Sequence, residues 1–566
     1  IAFNVIIIIV AVLIGLLAAG TVRSLQRNLP GRRALQVALF VILAVPLIYL
    51  AWSWGNVRWD SGAVAERGAK IESTHDAGRG TPDRAKPPNV ILITIDALRA
   101  NHLSINGYER DTSPYLDQLA GEGVNFSKAF SQATITVRSM SSLFTSLYPQ
   151  MHGLMNSGLT LSDSTMTLPE VLAGMGYATA GFGGGNPALF KTAGIIKGYD
   201  YYDDCRTIMK LVPKDVLLRL GVLSRISPQF KAPCPTAEVV FDKARSWLKT
   251  NPSEPYFLFI HLMDVHSPYM PPGAFASKFG RRTEGAPTDA ELNERLTVLS
   301  RAANPLFFQL YESGEFDRMN ELEITPEEIS EDNLQRLIDL YDGEIAYTDS
   351  QLETFIEELE ASGKINGTLL MITADHGEAF LDHGRLFHSG DLVYDELMRV
   401  PLIMKCPGVI TAGTSIDAPV RLIDIMPTVL EIIGEAGWNH STARPQLELE
   451  GRSLLPLFRG DEEELALRDQ GHVYCEGAYV ACVRTKRWKY IDSEGHNVRE
   501  LFDLDSDPGE KVNLFFQKKE QVDRLAAILE SYAERVRLYQ DRHPGPTSTI
   551  VDEETIKRLK SLGYVE

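Results

Sequence analysis

Three apolar runs in this chain lead into residues that can hold a cation or move a proton. NVILITI, Asn89–Ile95, is followed by Asp96; YFLFIHL, Tyr256–Leu262, contains His261 and runs on to Asp264 and His266; GTLLMIT, ending at Thr373, leads through Ala374 to Asp375 and His376. A single aspartate after a strand is most simply a helix N-cap, but three polar strand ends together point to one site. A fourth segment, ATITVRSMSSLFTSLYPQMHG from Ala133 to Gly153, sets Thr136 just ahead of a short helical pattern. There the helix dipole and free N–H groups favour an anionic ester. A carboxylate, an Asp-His pair and this hydroxyl could converge on one divalent cation, which lowers the hydroxyl pKa and yields an alkoxide nucleophile at neutral pH. Oxygen and imidazole ligands of this kind suit zinc, manganese, calcium or magnesium, and the sequence does not choose among them.

Such ends need a sheet to align them. Short β-branched runs alternate with helical stretches: NVILITI, YATAGF, YFLFIHL and GTLLMIT read as strands, and SPYLDQLAGEG as a helix capped by Ser113. The alternation predicts an α/β fold, a mainly parallel sheet sandwiched by helices, with ligands bound beyond the carboxyl ends of the strands. Asp332 to Leu359 carries apolar residues near helical spacing and reads as a packed helix or helix pair. Segments 186–235 and 270–330 lack a strand rhythm and read as insertions beside the site, able to shape substrate choice. RTKRWKYI and ELFDLDSDPGEKVNL predict a small antiparallel sheet with a helix, a C-terminal α+β subdomain, and DEETIKRLKSLGYVE a short amphipathic helix.

The first sixty residues differ from the rest. IAFNVIIIIVAVLIGLLAAG and ALQVALFVILAVPLIYLAWSW carry no formal charge and are each long enough to span a bilayer. Arg23, Arg27, Arg32 and Arg33 between them place that loop in the cytoplasm and everything after Trp54 outside it. The expected organisation is therefore 1–55, two transmembrane helices with a cytoplasmic basic loop; 56–87, a juxtamembrane linker; 88–470, the catalytic domain; and 471–566, the C-terminal subdomain and terminal helix. The protein is expected to be membrane-anchored with an extracytoplasmic catalytic domain, periplasmic or at the cell surface. Because the chain starts without Met, inside an apolar run, further spans could precede it. A net charge of -19 disfavours nucleic acid as a partner. Of the five cysteines, Cys205 and Cys234 could pair in an oxidising compartment, while Cys406, Cys475 and Cys482 read as buried thiols.

The stretch from NVILITIDALRANHLSINGYERDTSPYLDQL through SQATITVRSMSSLFTSLYPQMHG resembles the opening of the sulfatase-like branch of the alkaline phosphatase superfamily. FLFIHLMDVHSPYMPP, LLMITADHGEAFLDHGRLFHSGDLVYDELMRVPLIM and GRSLLPLF follow in that family's order. The resemblance implies an alkaline-phosphatase-like fold in which Asp96, Asp375, His376 and Thr136 bind the metal and Thr136 is the nucleophile. His266 then contacts the transferred group or protonates the leaving oxygen, and His383 and His388 hold nonbridging oxygens. Arg138, two residues from the nucleophile, could clamp a phosphoryl oxygen.

Formylglycine sulfatases carry Cys or Ser in a CxPSR-type motif, whereas Thr136, Val137, Arg138, Ser139 and Met140 stand here, and threonine cannot become formylglycine. The family's second carboxylate is Ala97, so one ion is the simpler expectation. A bimetallic site would need His266, His383 or His388 with Asp264 or Asp382. Members with threonine at this place resemble phosphotransferases and phosphodiesterases, including membrane enzymes that move phosphoglycerol or phosphoethanolamine groups. The reading is thus a metal-dependent phosphoester hydrolase or phosphotransferase acting on envelope lipid, glycan or other extracytoplasmic esters, with a phosphate or sulfate ester as substrate. The rivals are a sulfuric ester hydrolase without formylglycine and a catalytically inactive binding protein.

Overall fold

The structure is a computed structural model that describes residues 87–155, 159–184, 193–205, 234–250, 254–283, 285–293, 295–296, 330–435, 447–469, 471–477, 480–493 and 498–548. Both apolar N-terminal runs, the linker, most of the two insertions and the terminal DEETIKRLKSLGYVE lie outside the described residues. Among the described residues no helix is long and apolar enough to cross a membrane.

Eight strands form the central sheet: β1 (Asn89–Ile95), β2 (Val124–Phe126), β3 (Ala178–Gly183), β4 (Tyr201–Asp203), β5 (Tyr256–Leu262), β6 (Thr368–Ala374), β7 (Leu402–Lys405) and β8 (Thr414–Ile416). Their order is β8-β2-β7-β6-β1-β5-β3-β4. β7 runs antiparallel to both neighbours, and the other pairings are parallel. Every residue of β1, β5 and β6 is buried. Side chains alternate between faces, so burial of all positions requires cover on both faces, the environment that selects such unbroken apolar runs.

Register decides what the strand ends can do. Ile95 lies opposite both Leu262 and Ala374, so the residues after the three central strands emerge side by side. The helix α1 (Pro114–Glu122) has Ser113 as its N-cap residue, but the Ser113 side chain makes no cap bond and instead meets Ser104 and Asp117. The stretch expected as a helix or helix pair is one helix of 31 residues, Glu331–Ala361. A four-stranded antiparallel sheet, β9 (Val473–Glu476), β10 (Val480–Arg484), β11 (Trp488–Ser493) and β12 (Val498–Asp503), precedes a long helix at Lys519–Arg542. It packs on the main domain through Phe130, Val393 and Met398. Cys406, Cys475 and Cys482 are buried, and the buried Cys205 thiol faces the Asp203 carbonyl at 3.6 Å.

Candidate active site

Asp96, Asp375 and His376 each offer one ligand atom within 4.8 Å of the others, and all three are fully buried. Adjacent strands deliver them, and local hydrogen bonds aim them. Asp375 Oδ1 accepts the Ala97 and His376 backbone N–H groups at 3.2 and 2.9 Å, which turns Oδ2 into the site. Ala97 is left-handed, with φ +59°, and this bend carries the chain out of β1 directly after Asp96. His376 Nδ1–H donates to the Gly377 carbonyl at 2.8 Å, leaving Nε2 3.5 Å from Asp375 Oδ2 and 3.8 Å from Asp96 Oδ1.

Thr136 completes the group. It is the first residue of the helix α2 (Thr136–Thr145), whose N-cap residue is Ile135 and whose N-terminus has no side-chain cap. The hydroxyl is therefore not used as a cap: Oγ1 lies 3.4 Å from Asp96 Oδ2 and 3.4 Å from His376 Nε2. Three residues on, along the same helical face, the Ser139 hydroxyl donates to the Asp375 carbonyl at 2.6 Å and fixes α2 to the end of β6.

Sequence reasoning gave His261 no role, yet its Nε2 lies 3.1 Å from Asp96 Oδ2 and its Nδ1 is 2.7 Å from the Thr94 hydroxyl. The signal in the sequence was a histidine inside an otherwise apolar strand; its register opposite Thr94 is set by the sheet. Burial works against ionisation of Asp96, but His266, His261 and His376 around it hold its carboxyl well below the usual carboxylate range. His266 Nδ1 faces the Ser267 carbonyl at 2.6 Å, while Nε2 is buried with no hydrogen-bond partner among the described residues. His388 stands beside it, its ring 4.9 Å from His266 and 4.2 Å from His376.

Two residues expected at the site do other work. Arg138 donates from Nε and Nη2 to the Met155 carbonyl at 2.9 and 2.6 Å and from Nη1 to the Gly390 carbonyl at 3.4 Å. Residues two apart on a helix diverge by about 200°, so Thr136 and Arg138 face different ways and the expected clamp is replaced by a backbone tie. His383 stacks on Tyr394 at 3.6 Å, with Nδ1 on Glu396 at 2.6 Å and Nε2 on the Glu510 carbonyl at 2.9 Å. The candidate second-metal carboxylates are also engaged elsewhere: Asp264 Oδ1 accepts the Ala237 N–H, and Asp382 is held by Arg99.

The donor set fits a divalent cation. Asp375 Oδ2 is buried and accepts no hydrogen bond among the described residues, and it converges with a second buried carboxylate and an imidazole. Buried carboxylates so arranged need a positive partner.

The sulfatase family model matches residues 88–435, and the model for the C-terminal region of N-sulphoglucosamine sulphohydrolase matches residues 382–537. An arylsulfatase of Clostridium perfringens is 26% identical over 480 residues, covering 78% of this chain and 93% of that protein. Arylsulfatase K of Bos taurus is 25% identical over 500 residues, covering 83% and 84%. The phosphonate monoester hydrolase of Agrobacterium radiobacter superposes with a TM-score of 0.56 at 22% identity, covering 82% of this chain and 100% of that one. With a family match spanning more than half its length, laid over strand ends that gather two carboxylates and an imidazole, this chain belongs to the sulfatase family and is a hydrolase of the alkaline phosphatase superfamily.

Proposed function

We propose that the chain is a metal-dependent phosphoester hydrolase or phosphotransferase with Thr136 as its covalent nucleophile. The observation that carries this is the buried Thr136 hydroxyl at 3.4 Å from both Asp96 and His376, at the uncapped N-terminus of α2. Asp96, Asp375, His376 and Thr136 would hold one divalent ion, which supplies a lowered hydroxyl pKa and a positive charge beside the ester. Thr136 gives up its hydroxyl proton to solvent as Oγ1 attacks phosphorus, the P–O bond to the ester oxygen breaks, and His266 gives that leaving oxygen a proton from Nε2. The N–H groups of the first turn of α2 face the anionic ester.

A threonine ester lacks the geminal hydroxyl that lets formylglycine expel sulfate by C–O cleavage. The covalent intermediate must then be resolved by attack of water or an acceptor hydroxyl on the ester centre itself, a route suited to phosphorus. The relatives named arylsulfatase favour a second reading, hydrolysis of sulfate esters without formylglycine. The apolar runs at the N-terminus, with arginines between them, support two membrane spans and an extracytoplasmic site that meets envelope lipid headgroups or glycans.

The test is mass spectrometry of the metal-loaded full chain, acid-quenched during turnover of bis(p-nitrophenyl) phosphate and of p-nitrophenyl sulfate. A phosphoryl adduct on the Thr136 peptide is expected, with Thr136→Ala losing the adduct and activity by on the order of 10⁴-fold or more. Undiminished turnover by Thr136→Ala would sink the reading, and an adduct formed from the sulfate ester alone would move it to sulfur.

A further inference from the structure

His388 is held more firmly than a histidine on a site rim has to be. Its Nδ1 lies 3.0 Å from Glu378 Oε1, and Glu378 Oε2 accepts the Tyr269 hydroxyl at 2.7 Å. Glu378 and Tyr269 are fully buried. A carboxylate only accepts, so the contact puts a proton on Nδ1 and leaves Nε2 to face the site. Tyr269 is fixed in turn, its N–H donating to Asn293 Oδ1 at 2.8 Å while Asn293 Nδ2 donates to its carbonyl at 2.9 Å.

The backbone serves the same end. Phe387, next to His388, has φ +64°, a left-handed conformation that a phenylalanine keeps only where its surroundings impose it. The Phe387 N–H donates to the Ala379 carbonyl at 2.8 Å, and beyond His388 the Thr134 hydroxyl meets the Ser389 and Leu392 carbonyls at 2.9 and 2.8 Å. The loop is thus tied on both sides of the histidine. An imidazole oriented by a buried carboxylate, itself oriented by a third group, is the arrangement of a general base.

We propose that Tyr269, Glu378 and His388 form a relay for the second half of the reaction. His388 Nε2 takes the proton of the incoming water or acceptor hydroxyl as that oxygen attacks the phosphorus carried by Thr136. Glu378 and Tyr269 are positioning residues. The acceptor O–P bond forms, the Thr136 Oγ1–P bond breaks, and the proton passes from His388 to Oγ1, so that the threonine hydroxyl is regenerated. This rests on the Thr136 reading and divides the work between two histidines whose rings are 4.9 Å apart, His266 for the leaving group and His388 for the acceptor.

The test is rapid mixing of the metal-loaded full chain with bis(p-nitrophenyl) phosphate, following the p-nitrophenol burst and the Thr136 adduct together. Glu378→Ala is expected to slow the steady state by about 10- to 100-fold while the burst keeps its rate, so the adduct accumulates. Tyr269→Phe has the same effect at smaller size, and Glu378→Gln, whose side-chain carbonyl still accepts from Nδ1, recovers part of the loss. Equal slowing of burst and steady state, with no accumulation, overturns the relay and leaves the Thr136 reading standing. No adduct in wild type or variants overturns both. If Glu378→Ala fails to fold, His388→Gly with added imidazole replaces it: imidazole must speed adduct decay and not the burst, and decay that ignores imidazole overturns the relay.

Discussion

Two groups of buried charge in this chain are neutralised in different ways. Where the small sheet meets the main domain, the carboxylates have built-in cations: Asp395 pairs with Arg484 at 3.1 Å and Lys489 at 2.9 Å, and Glu510 takes the same Lys489 at 2.6 Å. At the strand ends, Asp96 and Asp375 meet imidazoles and the threonine hydroxyl instead. The first group closes on itself with side chains and ties the small sheet, through Arg484 and Lys489, to the start of the short helix Asp395–Met398. The second brings two carboxylates and an imidazole within 4.8 Å of one another, a donor set that fits a divalent cation. Asp96 and Asp375 are fully buried and Asp395 nearly so, and the two regions differ chiefly in the groups that face the carboxylates.

The sharpest way to break the comparison is at Asp375. Asp375→Asn is expected to lose bound divalent metal, read by elemental mass spectrometry, and activity by on the order of 10⁴-fold, about 5.5 kcal/mol. Chelation should destabilise the wild type by about 2.7 kcal/mol where free metal had stood about 100-fold above its Kd, and leave the Asp375→Asn Tm unmoved. A wild-type Tm indifferent to chelator would mean that the strand-end group needs no cation.

Lys489→Met tests the other region. It strands Glu510 and weakens the pairing of Asp395, for an expected cost of about 3–5 kcal/mol in urea unfolding, with metal content unchanged. Loss of metal in that variant would show that the two regions are not separate.

The smallest effect is a pH slope. Asp395, facing Arg484 and Lys489, is held well below the usual carboxylate range in spite of burial, whereas burial outweighs the shared Lys489 at Glu510 and pushes it up to about 7. A raised carboxyl holds its proton in the folded state while the unfolded chain has released it. Glu510 therefore removes stability as pH rises from the ordinary glutamate value of 4.5 towards 7, and the slope flattens above that. Glu510→Gln should flatten this part of the Tm profile between about pH 5 and about pH 8, and an unchanged slope would assign it to other groups.

The strand ends were legible because period and punctuation are local. An unbroken apolar run ending in Asp96, or in Asp375 and His376, states both a buried strand and its polar exit. The helix beginning at Thr136 was legible too. What failed was direction around an element. Arg138 is two residues from Thr136 in sequence but on another helical face, and within LDHGRLFHSG nothing local distinguishes His383, stacked on Tyr394, from His388, placed on Glu378. Neither Glu378 nor Tyr269 is marked as a partner of His388 by spacing, since the contacts close across loops.

The sequence by itself determined the four long strands that it marks with unbroken apolar runs and the residue types able to hold a cation, because these depend on side-chain chemistry and on periods of a few residues, while short strands such as Val124–Phe126 and Thr414–Ile416 carry too few residues for a period to show. Only the tertiary structure decided which of those groups share a site. That choice is made by strand register, which sets Asp96 beside Asp375 and Thr94 beside His261, and by the hydrogen bonds that aim each side chain once it is buried.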